Sequence, residues 1–131
     1  MMFCTFVAVV MPSVMSQPML TSSAGQVCPE GMIVFTCTTT GSSTLAWRSD
    51  EYIGSGRQLE FLSVNHIGMN RFSTSNPETV ATLTAINDDG MTVTLTSMLH
   101  IVARSTTPSV SVSCRNAGGE TSTLTVPLAG M

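Results

Sequence analysis

Apolar and polar residues alternate with a period of two along much of the chain. Ile33, Phe35 and Cys37 share one parity, and Val34, Thr36 and Thr38 the other. Leu45 and Trp47 alternate with Ala46 and Arg48, and Leu59 and Phe61 flank Glu60. Met91, Val93, Leu95, Leu99 and Ile101 fall on one side, Thr92, Thr94, Thr96 and His100 on the other. Val110, Val112 and Cys114 alternate with Ser111 and Ser113; Leu124, Val126 and Leu128 alternate with Thr125 and Pro127. Such alternation predicts half-buried strands in antiparallel sheets. No helical period occurs. Turn chemistry separates the runs at Pro29-Glu30-Gly31, Gly41-Ser42-Ser43, Gly54-Ser55-Gly56, Asn87-Asp88-Asp89-Gly90 and Ala117-Gly118-Gly119. Strands spaced in this way build an all-β sandwich or barrel. The predicted core includes Phe35, Trp47, Leu99, Ile101, Val112 and Leu124. Pro127 has no ladder donor, so the last strand is expected at a sheet edge or at a bulge. The stretch 63–77 is the least patterned.

Length and composition narrow this picture. A chain of 131 residues holds one domain. Only 10% of residues are charged, too few for a charge-driven disordered tail or a coiled coil. The net charge is −3, from five Arg and eight acidic residues with no Lys, which argues against nucleic acid as a partner. Nineteen Thr and 17 Ser take the polar positions instead, so the solvent face of the sheets is expected to be hydroxylated.

The first residues read as an address. Residues 1–11 form an apolar run, closed by Pro12, with the length of a signal-peptide core and too short to span a bilayer. Val14 and Ser16 are small enough to precede a cleavage site, giving a signal peptide over 1–16 and a single domain over 17–131. The positive flank of such a leader is missing, and the alternative is a buried N-terminal strand. No later stretch approaches the ~20 apolar residues of a membrane span, and there is no N-glycosylation sequon.

Cys37, Trp47 and Cys114 stand on inward positions of an early, a following and a late strand. With Leu99-His100-Ile101 before the second Cys, and Leu124-Thr125-Val126 after the turn that follows it, this order resembles the immunoglobulin superfamily over roughly residues 26–128. The long interval between the two Cys is similar to the variable or intermediate sets. The resemblance implies a two-sheet antiparallel sandwich, a Cys37–Cys114 disulfide and Trp47 packed beside it. On the loop-entropy model such a bridge stabilises by roughly 4–5 kcal/mol, and it implies an oxidising compartment. Val112 stands where the family's corner Tyr would be, so the turn before it must be held by other means, such as Pro108 and local Ser and Thr hydroxyls. Arg71-Phe72-Ser73 looks like the start of the family's D strand.

Candidate chemistry is sparse. His66 and His100 have no partners at metal-ligand spacing. Gly54-Ser55-Gly56 does not lead from a strand into a helix, so it is a turn and no phosphate cradle. Asp88-Asp89-Gly90 suits a hairpin better than a calcium loop. No nucleophile and base converge, so no enzyme, cofactor or metal is expected. Cys28 is the odd one. If Cys4 leaves with the leader, Cys28 has no fourth Cys to join, and Cys37 lies too far along its strand. Two readings remain open: a half-buried free thiol, or an intermolecular thiol that links a disulfide dimer.

The resemblance implies an extracellular, secreted module for recognition or adhesion, binding protein partners or a second copy of itself. The alternative is a ligand-less structural spacer in a longer extracellular or membrane receptor protein. Binding loops are expected at one end, with Thr40, Ser42 and Ser43, Asp88 and Asp89, and Arg115, Asn116 and Glu120; the loop 50–57 is expected at the other end. A sheet face is the alternative surface.

Overall fold

The computed structural model describes residues 9–10, 17–54, 58–62, 71–73, 79–88, 90 and 92–129. These form ten strands: β1 (Val9–Val10), β2 (Met19–Ser22), β3 (Met32–Thr40), β4 (Thr44–Arg48), β5 (Leu59–Leu62), β6 (Arg71–Ser73), β7 (Val80–Asp88), β8 (Val93–Val102), β9 (Ser109–Asn116) and β10 (Thr121–Pro127). One sheet runs β1-β2-β3-β8-β7-β6 and the other β10-β9-β4-β5, and each neighbouring pair is antiparallel. The chain is an all-β sandwich of two antiparallel sheets with no helix among the described residues.

The parity read from the sequence decides what is buried. Ile33, Phe35 and Cys37 on β3 face Leu95, Leu99 and Ile101 on β8, Leu45 and Trp47 on β4, and Val110, Val112 and Cys114 on β9 within one core cluster. Leu124 and Val126 close it from β10. Pro127 ends β10 at a sheet edge, where its missing donor costs no ladder bond.

Two links tie the sheets together side by side. Cys37 and Cys114 form a disulfide with their Cα atoms 6.4 Å apart. One register position away, Trp47 pairs with Cys114 and Ser97 pairs with Cys37. The Trp47 indole N–H donates to Ser97 Oγ at 2.8 Å, and Ser97 donates onward to the Thr82 carbonyl at 2.8 Å. Both Trp47 and Ser97 are fully buried. A polar residue on the inward parity of β8 is thus explained by the one polar atom of the Trp ring.

The β8–β9 turn is held from a distance as well as locally. Thr107 Oγ1 donates to the Arg104 carbonyl at 3.0 Å, a hydroxyl brace of the expected kind. The larger anchor is Tyr52, buried after β4. Its hydroxyl lies 3.0 Å from Thr107 Oγ1 and accepts from the Arg104 N–H at 3.4 Å. The Arg104 guanidinium sits 5.6 Å from the Tyr52 ring centroid, within cation–π range. Glu30 ties the preceding turn to the same corner: its N–H donates to the Ala103 carbonyl and its carboxylate accepts from the Ser105 N–H at 3.0 Å. Its backbone has φ 63°, in the left-handed region that a side chain occupies at a cost.

Several expectations are corrected. The strand beside β8 is β7, which period-two reading leaves out: a register shift between Leu83 and Ala85 breaks its alternation. Arg71–Ser73 is a strand, but it lies outside β7 at the sheet edge, one place further out than the D strand it resembles. Asn87 and Asp88 end β7, so the connection to β8 is residues 89–92 and not 87–90. Cys28 is disulfide-bonded, and no cysteine among the described residues is free. Cys28 is therefore not a spare thiol in this structure, and a dimer linked through it is not shown. Cys4, Met91, His66 and Asp89 lie outside the described residues. So does most of the expected leader, of which Val9 and Val10 pair with Ser22 and Thr21 as β1.

Two substitutions test these links. Ser97→Ala leaves the buried indole N–H without an acceptor and should cost about 1–3 kcal/mol. Tyr52→Phe removes the hydroxyl at the β8–β9 corner and should cost about 1–2 kcal/mol. Urea unfolding followed by Trp47 fluorescence measures both.

Candidate functional site

The candidate loops meet at one end of the sandwich, though several of the residues picked there are engaged in structure. Ser42 is buried: its hydroxyl donates to the Thr44 carbonyl at 2.8 Å and accepts from the Thr44 N–H at 3.3 Å and the Ala117 N–H at 2.8 Å. It fastens the β3–β4 turn to the β9–β10 turn. The Gly41 N–H donates to the Val93 carbonyl at 2.8 Å, so the start of β8 joins the same end. Asn116 shapes the β9–β10 turn, its side-chain oxygen accepting from the Glu120 N–H at 3.0 Å. Gly119, at φ 87°, supplies the left-handed residue the turn needs. Thr40 is the last residue of β3 and Asp88 the last of β7. Ser43, Arg115 and Glu120 are exposed. The loop after β4 lies at the β8–β9 corner, where Tyr52 and Ile53 are buried.

The two outer sheet faces differ in chemistry. The sequences of β2, β3 and β8 contain no Asp, Glu, Lys or Arg. Their outward positions carry Thr, Val, His100 and Met, with Met32 58% and Met19 46% exposed. The outer face of β10-β9-β4-β5 carries Arg48, Glu60 and Arg115 among Ser111, Ser113, Thr121, Thr123 and Thr125. Hydroxyls are linked across β9 and β10: Ser113 lies 2.9 Å from Thr123, and Thr125 donates to Ser111 at 3.0 Å.

Register makes a trough on this face. Ala46 pairs with Glu60 on one side and Arg115 on the other. The small residue is the floor, and the two opposite charges stand on the rims. The depression, about 300 Å³, is also lined by Thr44, Gln58 and Asn116. The Gln58 side-chain N–H donates a hydrogen bond to the Glu60 carboxylate at 3.3 Å. A second shallow depression, about 380 Å³, runs from Arg48, Asp50 and Glu51 past Pro108 to Ser111. The Arg48–Asp50 pair there, at 3.7 Å and largely exposed, contributes little to stability. Among the described residues no His, Cys, Asp and Glu gather as a metal site.

Sequence reading selected Arg115 and Asn116 for their turn and passed over Arg48, Glu60 and Ala46. Their signal was present as outward parity on β4 and β5. What parity does not tell is which strands lie side by side, and so which outward residues share a trough.

The chain matches no family model, no curated protein and no solved structure. Two antiparallel sheets joined by an intrachain disulfide fit an immunoglobulin-like fold, and no comparison extends this to membership of the family.

Ser42→Ala tests the fastening of the loop end. It should cost about 1–2 kcal/mol and speed hydrogen exchange at the Ala117 amide, while the Tyr52 corner stays protected.

Proposed function

We propose that this chain is an extracellular immunoglobulin-like recognition module that binds a protein partner through the outer face of β10-β9-β4-β5. The observation that carries the reading is the asymmetry between the faces. Arg48, Glu60 and Arg115 are gathered on one sheet, with a small-residue trough between two of them. In the other, β2, β3 and β8 contribute no charge, and the charged residues are Arg71 on β6 and Asp88 at the end of β7. Charged groups around a depression steer encounter and select the partner's charge pattern. The matching surface presents a cation toward Glu60 and a carboxylate toward Arg115. The Cys37–Cys114 disulfide is compatible with an oxidising, extracellular setting. No helix among the described residues is long and apolar enough to cross a membrane. A leader over 1–16 belongs to the same reading.

One observation favours the second reading, a ligand-less spacer. The only Trp and the only Tyr are both buried, so the face lacks the aromatic anchors that dominate many interfaces.

Screening the multimerised chain against an array of extracellular ectodomains tests both readings. A specific binder should lose at least about tenfold in affinity, about 1.4 kcal/mol, with the Arg115→Glu/Glu60→Arg double variant. Thr36→Arg on the other sheet should leave binding unchanged. The reverse pattern would overturn the assignment of the face, and an array with no binder would favour the spacer.

A further inference from the structure

Among the described residues strand β10 is paired with β9 on one side and forms no ladder on the other. There only the Ser122 side chain, donating to the Pro18 carbonyl at 2.6 Å, and the Val27–Leu128 bridge link it to the chain near β2. Which main-chain groups face the opening follows from the bonds at its two ends. The Glu120 carbonyl accepts from Asn116, and the Leu128 N–H donates to the Pro108 carbonyl, so even-numbered residues turn toward β9. The Pro127 carbonyl accepts instead from Val27, on the opposite side. Alternation along a strand then directs the N–H and C=O groups of Thr121, Thr123 and Thr125 to the open edge. Among the described residues no backbone hydrogen bond reaches them there.

Proteins block such edges with charge, Pro or a bulge. Residues 121–126 read Thr-Ser-Thr-Leu-Thr-Val, with none of the first two, and the β9–β10 register runs without a shift. Pro127 and the Val27 bridge close the edge only beyond Thr125.

We propose that the edge Thr121 to Thr125 pairs antiparallel with the same edge of a second copy of this chain, about a two-fold axis at Thr123. The strand is self-complementary in that register. Thr121 faces Thr125 of the second copy and Thr123 faces its own equivalent, so each Thr exchanges both of its open main-chain bonds. The outward side chains meet as Thr–Thr pairs, a favourable cross-strand combination, and extend the hydroxyl row that already links Thr123 to Ser113. The nearest charge, Glu120, stands six residues along the ladder from its symmetry mate, roughly 20 Å at the rise of a strand. That exceeds the ~8 Å screening length at physiological salt, so no repulsion opposes the pairing. The contact is isologous and closes at two copies, joining two four-stranded sheets into one continuous sheet. The inference stands apart from the binding face proposed above, because it needs only the edge.

Sedimentation equilibrium of the oxidised full chain from about 1 µM to about 1 mM tests it. The native chain should show a reversible monomer–dimer equilibrium. Thr123→Pro removes an N–H that points away from β9 and should weaken the dimer at least tenfold. Thr121→Glu/Thr125→Glu sets like charges opposite each other and should give a monomer. Thr121→Lys/Thr125→Glu sets opposite charges in the same places and should dimerise at least as tightly as the native chain. Near-ultraviolet circular dichroism of Trp47 verifies that each variant is folded. A native chain that stays monomeric throughout, or a dimer indifferent to the glutamate pair, overturns the proposal.

Discussion

The two sheets are joined at one place by two different bonds, and the other features of the sandwich are arranged around it. The Cys37–Cys114 bridge spans the gap covalently. The Trp47 to Ser97 hydrogen bond spans it one register position away. The bridge fixes β3 against β9, and the indole fixes β4 against β8. Each link limits the play that would loosen the other. Ser97 in turn donates its hydroxyl hydrogen bond to the Thr82 carbonyl, so β7, beyond β8 in the sheet, is tied to the same point. A buried indole with no acceptor would be a net liability; with Ser97 present it also specifies position.

Away from this centre, the two outer faces are free to differ, because neither contributes to the core. One holds Met, Val and Thr with no charge on β2, β3 or β8; the other gathers Arg48, Glu60 and Arg115. The small size of Ala46 matters here. A larger residue at that position would fill the space between Glu60 and Arg115 and flatten the depression that these opposite charges bracket. The ends of the sandwich are braced separately, one by Ser42 and the other by Tyr52 with Glu30.

The sequence made legible those strands whose large apolar residues keep to one side. β3, β4, β8, β9 and β10 announce themselves by alternation, and their inward residues are those of the core cluster. β7 was illegible because its register shift puts residues before and after Leu83 out of phase. Tyr52 was illegible for another reason. Its contacts with Arg104 and Thr107 join segments more than 50 residues apart, and nothing local marks a Tyr after a strand as the brace of a distant turn. On the candidate site, outward parity marked Glu60 and Arg48, and topology was needed to bring Glu60 and Arg115 to either side of Ala46.

The placement of the bridge also governs how the molecule would respond to mechanical tension. Cys37 and Cys114 are 77 positions apart, so a pull transmitted through the chain ends crosses at the disulfide and bypasses everything between them. Strands β4 to β8 carry no load while the bond is intact. The load falls on what lies outside the bridge: β1, β2 and the start of β3 on one side, the end of β9 and β10 on the other, with β2 and β10 in different sheets. The trough has its Glu60 rim on the bypassed strand β5 and its Arg115 rim next to the bridge itself, on the residue that follows Cys114. Stretching would therefore act on β2 and on β10 with its edge, while the Glu60 rim on β5 stays outside the loaded path.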